Sequence, residues 1–138
     1  MENIQVLSHN VNMLAECPVW DAEKGLLYWT DISAKKAYAY DCEADSQSIL
    51  FQGKNIASFA INKSGGFICG CFEGVYLWDD KAGFSHVATE YRGMPLKVND
   101  GAADAAGRFL FGTNYYRPEE KEIQTGAVYC IERDGTLR

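Results

Sequence analysis

Three segments of the chain repeat one short pattern. In each, an apolar run ends at an Asp or Asn, a turn containing Gly follows, and a second apolar run begins. The anchors Asp21, Asn62 and Asp104 lie 41 and 42 residues apart. A repeat of this length built from short strands predicts the blades of a β-propeller. A propeller ring closes with about 4–8 blades, and the pattern accounts for three.

Short apolar or alternating runs, separated by Gly, Asn, Asp and Ser, fill the chain without long helical periodicity. They predict an all-β fold, a partial propeller of about three four-stranded blades. The blades are predicted at about 14–52, 55–90 and 96–138, the third incomplete. Their strands are predicted at 17–21, 26–31, 36–41 and 47–51, at 57–62, 67–72, 75–79 and 84–89, and at 97–102, 108–114 and 127–132. An extra strand is predicted at 4–8 and an exposed loop at 115–124.

Charge and composition exclude several functional classes. The net charge of −6 argues against nonspecific nucleic-acid binding, which needs clustered Lys and Arg. No apolar run approaches the roughly 20 residues of a membrane helix, and the first residues lack the apolar core of a signal peptide. The five cysteines are odd in number and lack zinc-site spacing, so we expect reduced thiols in a cytoplasmic protein.

The repeat also predicts which side chains line the channel, because the first strand of each propeller blade lies nearest the axis. Glu16, Ala57 and Asn99 each lie five residues before an anchor, so they should occupy equivalent places. A carboxylate and an amide suit a hard divalent cation such as Ca²⁺, Mg²⁺ or Mn²⁺. A plainer interpretation stays open, in which Glu16 is a solvated acid and Asn99-Asp100-Gly101 forms a turn.

The longer motifs resemble a known family. The stretches LAECPVWD at 14–21, LYWTDI at 27–32 and VNDGAADAAGRFLFGT at 98–113 are similar to the gluconolactonase and regucalcin (senescence marker protein) family. The stretch GAVY at 126–129 and the pair DG at 134–135 fit as well. The resemblance covers essentially the whole chain and about the first, N-terminal half of the family's usual length.

The resemblance implies a six-bladed propeller that hydrolyses sugar lactones with one divalent metal ion (Ca, Zn, Mg or Mn) in its channel. Glu16 matches the family's first metal ligand, and Asn99 matches a residue that contacts substrate or a metal-bound water. Lys97 stands where the family often has Arg, and is either substrate-binding or a solvated lysine at the strand end. The other ligands and the expected catalytic base lie beyond residue 138. Cys17 replaces the family's usual Gly, which predicts a small shift of the site.

Two hypotheses follow. In the first, the chain carries part of a lactonase active site, acts on a small-molecule sugar lactone, and is weakly active or inactive alone. In the second, it is a noncatalytic calcium-binding relative, or a half-propeller that assembles with itself or with a missing C-terminal half. Open sheet edges favour such assembly.

Overall fold

The computed structural model of the protein describes residues 4–8, 11–115 and 125–138. All the secondary-structure elements within those ranges are β-strands. The all-β prediction is therefore confirmed, and no described helix is long and apolar enough to cross a membrane. The strands are β1 Ala15–Asp21, β2 Leu26–Asp31, β3 Lys36–Asp41, β4 Ser46–Gln52, β5 Ile56–Ile61, β6 Phe67–Cys71, β7 Gly74–Asp79, β8 Gly83–Ala88, β9 Glu90–Tyr91, β10 Met94–Pro95, β11 Val98–Ala103, β12 Phe109–Thr113 and β13 Val128–Ile131.

Eleven of these strands form three successive antiparallel sheets in simple up-and-down order, and β9 and β10 form a separate two-stranded sheet. Sheet one is β1-β2-β3-β4, sheet two is β5-β6-β7-β8, and sheet three is β11-β12-β13. A bridge between Ile131 and Leu137 extends sheet three toward a fourth strand. The first strands contact each other in the order β1, β5, β11, so the sheets are arranged side by side along their inner strands.

The repeated anchor residues are turn residues. Asp21 Oδ1 accepts hydrogen bonds from the backbone N–H of Glu23 (3.1 Å) and Lys24 (3.2 Å). Asn62 and Asp104 close the corresponding turns of sheets two and three by the same kind of bond. A short polar side chain that caps its own turn favours a hairpin at that place. The repeat in the sequence is thus a repeat of the hairpin between the first two strands of each sheet.

Two apolar layers hold the sheets together. The layer between sheets one and two consists of Tyr28, Ala37, Ala39, Phe51, Ile56, Phe59, Phe67, Cys69 and Cys71. The layer between sheets two and three consists of Ala60, Val75, Leu96, Val98, Phe109, Phe111 and Ile131. Gly70 allows the second layer to close, because a Cβ there would lie 2.6 Å from Val98 Cγ1.

Two expectations need correction. Residues 4–8 form no strand, and instead Ser8 Oγ donates to the Gln47 side chain (2.9 Å). Asn99-Asp100-Gly101 is not a turn, since all three residues lie within β11. The short hairpin β9–β10 was not predicted. Of the predicted loop at 115–124, residues 116–124 lie outside the described residues.

Candidate functional site

Glu16 lies near the start of β1, with its side chain exposed. Its backbone pairs with Thr30 of β2, and Thr30 Oγ1 donates to the Glu16 carbonyl oxygen (3.3 Å). The pairing register then shifts between Glu16 and Val19, which marks a β-bulge. Bulges re-aim side chains near the ends of strands. Glu16 therefore has a fixed backbone and a carboxylate that is open to a ligand.

Asp31, which sequence reasoning did not single out, holds the chain that leads into β1. Its buried carboxylate accepts hydrogen bonds from the N–H groups of Met13 (2.8 Å), Leu14 (3.1 Å) and Ala34 (3.1 Å). Burial acts to raise the pKa of Asp31, but these bonds and the charge of Lys36 outweigh it and lower the pKa below its usual range. Asp31 therefore holds, as an ionised carboxylate, the backbone up to Leu14, which lies two residues before Glu16.

Asn99 lies near the start of β11, also exposed, and also at a bulge. The β11–β12 register shifts between Val98 and Asp100, so Asn99 has no paired residue on β12. The equivalent position in sheet two is a bulge as well, because the β5–β6 pairing register shifts once across Ala57. Ala57 is buried and offers no donor. On the three neighbouring strands β1, β5 and β11, the exposed oxygen-bearing side chains of Glu16 and Asn99 thus lie on the two outer strands, and the buried Ala57 lies on the strand between them.

Lys97 precedes β11 and is half-buried. Its Nζ lies 5.2 Å from the centroid of the Phe72 ring, and its backbone oxygen accepts from Asn114 N (3.0 Å). A cation over an aromatic face is held weakly and keeps its donors available. The placement suits either of the two roles expected from the sequence.

Cys17 follows Glu16 and has a backbone φ of 52°. Its Sγ accepts a hydrogen bond from Phe59 N (3.3 Å) and donates to Phe59 O (3.6 Å) on β5. Burial raises the pKa of the Cys17 thiol, the Phe59 bond opposes this, and the charges of Asp100 and Glu16 add to the rise.

Two cavities border these strands. One of about 260 Å³ has Glu16 in its wall, together with Leu7, Ser8, Asn12, Ala15, Pro18, Leu27 and Trp29. A larger cleft of about 870 Å³ lies between sheets two and three at the opposite ends of their first strands. The larger cleft contains neither Glu16 nor Asn99 nor Lys97, so size alone does not identify the site.

The donors fit a hard divalent cation in kind, since carboxylate and amide oxygens are its usual ligands. They are too few to hold one alone. In 4–8, 11–115 and 125–138, no three His, Cys, Asp or Glu side chains gather closely enough to bind a metal. Further ligands have to come from water or from protein outside these residues.

Comparison with known proteins gives consistent matches. A family model described as SMP-30/Gluconolactonase/LRE-like region matches residues 14–138. A 6-deoxy-6-sulfogluconolactonase of Pseudomonas putida is 31% identical over 122 residues, which is 87% of this chain and 42% of the relative. Regucalcin of Xenopus laevis is 28% identical over 128 residues, covering 90% of this chain and 43% of the relative. The chain thus spans less than half the length of these relatives.

Solved structures confirm the propeller fold. A calcium-binding regucalcin from Agrobacterium tumefaciens superposes with a TM-score of 0.79 at 19% identity, covering 96% of this chain and 44% of that one. A gluconolactonase from Xanthomonas campestris gives a TM-score of 0.78 at 17% identity, covering 92% and 47%. Both are β-propellers, so the three sheets match about half of a closed ring.

Proposed function

The chain belongs to the SMP-30/gluconolactonase/LRE-like family, and on that premise we propose that the protein hydrolyses sugar lactones with a divalent cation bound at its inner strands. One observation carries the proposal. Two exposed oxygen donors, Glu16 and Asn99, lie near the starts of β1 and β11 at positions that are equivalent in the sequence repeat, while Ala57 at the corresponding position of β5 is buried. The lactonase names of several relatives support this chemistry at the level of the family.

Each residue has a role in the proposal. The Glu16 carboxylate holds the cation, and the Asn99 amide binds a polar group of the lactone or an ordered water. Lys97 attracts the hydroxyl oxygens of the sugar and, with its ammonium group over the Phe72 ring, limits their position. A divalent cation, when bound, polarises a carbonyl and lowers the pKa of a coordinated water. The proton acceptor for that water is not assigned to any of these residues.

We further propose that sheets outside these 138 residues complete the site, on the same polypeptide or on a second copy. Apolar side chains remain exposed on the outer faces of the end sheets, including Trp20 on sheet one (53% exposed) and Val128 on sheet three (78% exposed). Such faces fit packing against another propeller blade. Light scattering of the 138-residue chain separates the two sources, since a second copy doubles the mass.

The compartment is part of the proposal as well. All five cysteines are free thiols, and Cys69 and Cys71 are fully buried in the layer between sheets one and two. Free thiols fit the reducing cytosol. We therefore place the activity there.

The test is hydrolysis of D-glucono-δ-lactone, followed with a pH indicator in the presence of Ca²⁺, Zn²⁺, Mg²⁺ or Mn²⁺. For the 138-residue chain we expect weak hydrolysis that needs added cation and that falls at least about tenfold in Glu16→Gln. Glu23→Gln, which removes an exposed acid from the β1–β2 turn, is the matched control. Unchanged hydrolysis in Glu16→Gln would refute the assignment. Cation binding without hydrolysis would favour the noncatalytic alternative.

A further inference from the structure

Cys17 adopts a conformation that a residue with a side chain rarely adopts. Its φ of 52° lies in the left-handed region, where glycine is favoured. It directly follows Glu16, within the stretch where the β1–β2 register shifts. A side chain persists in such a conformation when surrounding contacts compensate for the strain. For Cys17, such contacts are made by the thiol.

The thiol satisfies two backbone groups on the free edge of another sheet. β5 is an edge strand, so the backbone groups on its inner side have no ladder partner. Cys17 Sγ accepts a hydrogen bond from the N–H of Phe59 at 3.3 Å and donates one to the carbonyl oxygen of the same residue at 3.6 Å. A protonated thiol can accept and donate at once. One side chain thus replaces the paired bonds that a further strand would make.

This link lies at the level of the candidate site. Cys17 adjoins Glu16, and Phe59 lies two residues after Ala57, the equivalent position on β5. Phe59 itself is rigidly held, since it is 1% exposed and its ring packs edge-on against Phe67. The thiol therefore ties the backbone beside Glu16 to a fixed point of sheet two.

We propose that Cys17 is a positioning residue, whose thiol fastens β1 to the edge of β5 and thereby sets where the Glu16 carboxylate lies. This inference rests on the proposed function only in treating Glu16 as a cation ligand. It also accounts for the departure from the family's usual Gly. A glycine fits the backbone conformation but leaves the Phe59 N–H without the sulfur, whereas cysteine adds the link at the expense of strain.

Four variants of the 138-residue chain test the proposal. Cys17→Ala removes both bonds, Cys17→Ser keeps a group that donates and accepts, and Cys17→Gly removes the bonds and relieves the strain. Cys130→Ala is the control, because Cys130 is another half-buried thiol but lies on sheet three beside Glu132. If Cys17→Ala fails to fold, Cys17→Gly still measures the effect of losing the two thiol hydrogen bonds.

The readouts are amide hydrogen exchange at Phe59 and a titration with Tb³⁺, which replaces Ca²⁺ and luminesces when bound. In Cys17→Ala and Cys17→Gly we expect exchange at Phe59 to rise about tenfold, since one hydrogen bond is lost. Terbium affinity should fall about tenfold, the lower end for residues that orient metal ligands. Cys17→Ser should restore both at least in part, and Cys130→Ala should change neither.

Unchanged exchange at Phe59, or terbium affinity equal to wild type in Cys17→Ala and Cys17→Gly, would overturn the proposal. Equal losses in the Ala and Ser variants would also overturn it, because they would show that the thiol's bonds are irrelevant. If the wild type binds no terbium, the proposed function fails instead. The exchange at Phe59 and the backbone chemical shifts of Glu16 across the variants then decide the positioning claim.

Discussion

At the start of β1, polar contacts fix the chain that leads to Glu16, whereas at the start of β11, apolar packing fixes the chain that leads to Asn99. Before β1, the Asp31 carboxylate holds two successive backbone N–H groups. Before and within β11, Leu96 and Val98 are fully buried in the layer between sheets two and three. Two positions that are equivalent in the repeat are therefore held by different forces.

The difference has consequences for how each position responds to change. Burial of apolar surface does not depend on the protonation of a carboxyl group, so the Asn99 position should keep its stability across a wide pH range. The Glu16 position depends on an ionised Asp31, so it should weaken in acid. A perturbation at one position should leave the other largely intact, since the Asp31 hydrogen bonds hold the first and apolar packing holds the second.

The largest expected effect comes from Leu96→Ala. It removes a fully buried side chain and should lower the free energy of unfolding by about 3 kcal/mol, within the usual range for Leu→Ala in a core. Urea unfolding measures it, with Met94→Ala as a control at a partly exposed neighbour. A loss of less than about 1 kcal/mol would show that packing is not what holds the β11 position.

A smaller effect is expected from Asp31→Ala. It leaves the N–H groups of Met13, Leu14 and Ala34 without their acceptor and should cost about 2 kcal/mol at neutral pH. Asp41→Ala is the matched control, because Asp41 caps its own turn through the N–H groups of Glu43 and Ala44. Equal losses in the two variants would contradict a clamp on the β1 position.

The pH dependence of that loss sharpens the comparison. The pKa of Asp31 is lowered by folding, so its contribution is complete above the unfolded-state pKa of about 3.9 and disappears as the pH falls through the folded-state pKa. The difference between wild type and Asp31→Ala should stay constant from neutral pH to about pH 5 and shrink below about pH 4. The Leu96→Ala difference should show no such change. Parallel curves for the two variants would refute the distinction.

Much of the fold could be predicted because the strands and their turns are encoded locally. The predicted ranges 26–31 and 36–41 coincide with β2 and β3, and each anchor closes its own hairpin through bonds a few residues away. The β9–β10 hairpin escaped prediction for an equally local reason. Its turn has positive φ at Arg92 and Gly93, where Asn-Gly is the usual signal, and Pro95 argues against a strand.

The site could be predicted only in part. Equivalent positions in the repeat led to Glu16 and Asn99, and the structure places both as exposed residues near the starts of their strands. The partner of Cys17 could not be found, since Phe59 is 42 residues away and uses its backbone, which carries no residue-specific signal. Asp31 was missed because an Asp before a turn usually caps that turn, and here it also binds a segment that precedes it by 17 residues.

A calorimetric titration of the 138-residue chain with Ca²⁺ tests most directly whether Glu16 and Asn99 form one cation site. We expect weak, saturable binding, with a dissociation constant of about 10⁻⁴–10⁻³ M, because two protein donors leave most positions to water. Glu16→Gln should abolish the binding and Asn99→Ala should weaken it, while Glu23→Gln should leave it unchanged. Binding of the same strength in wild type, Glu16→Gln and Asn99→Ala would contradict the account.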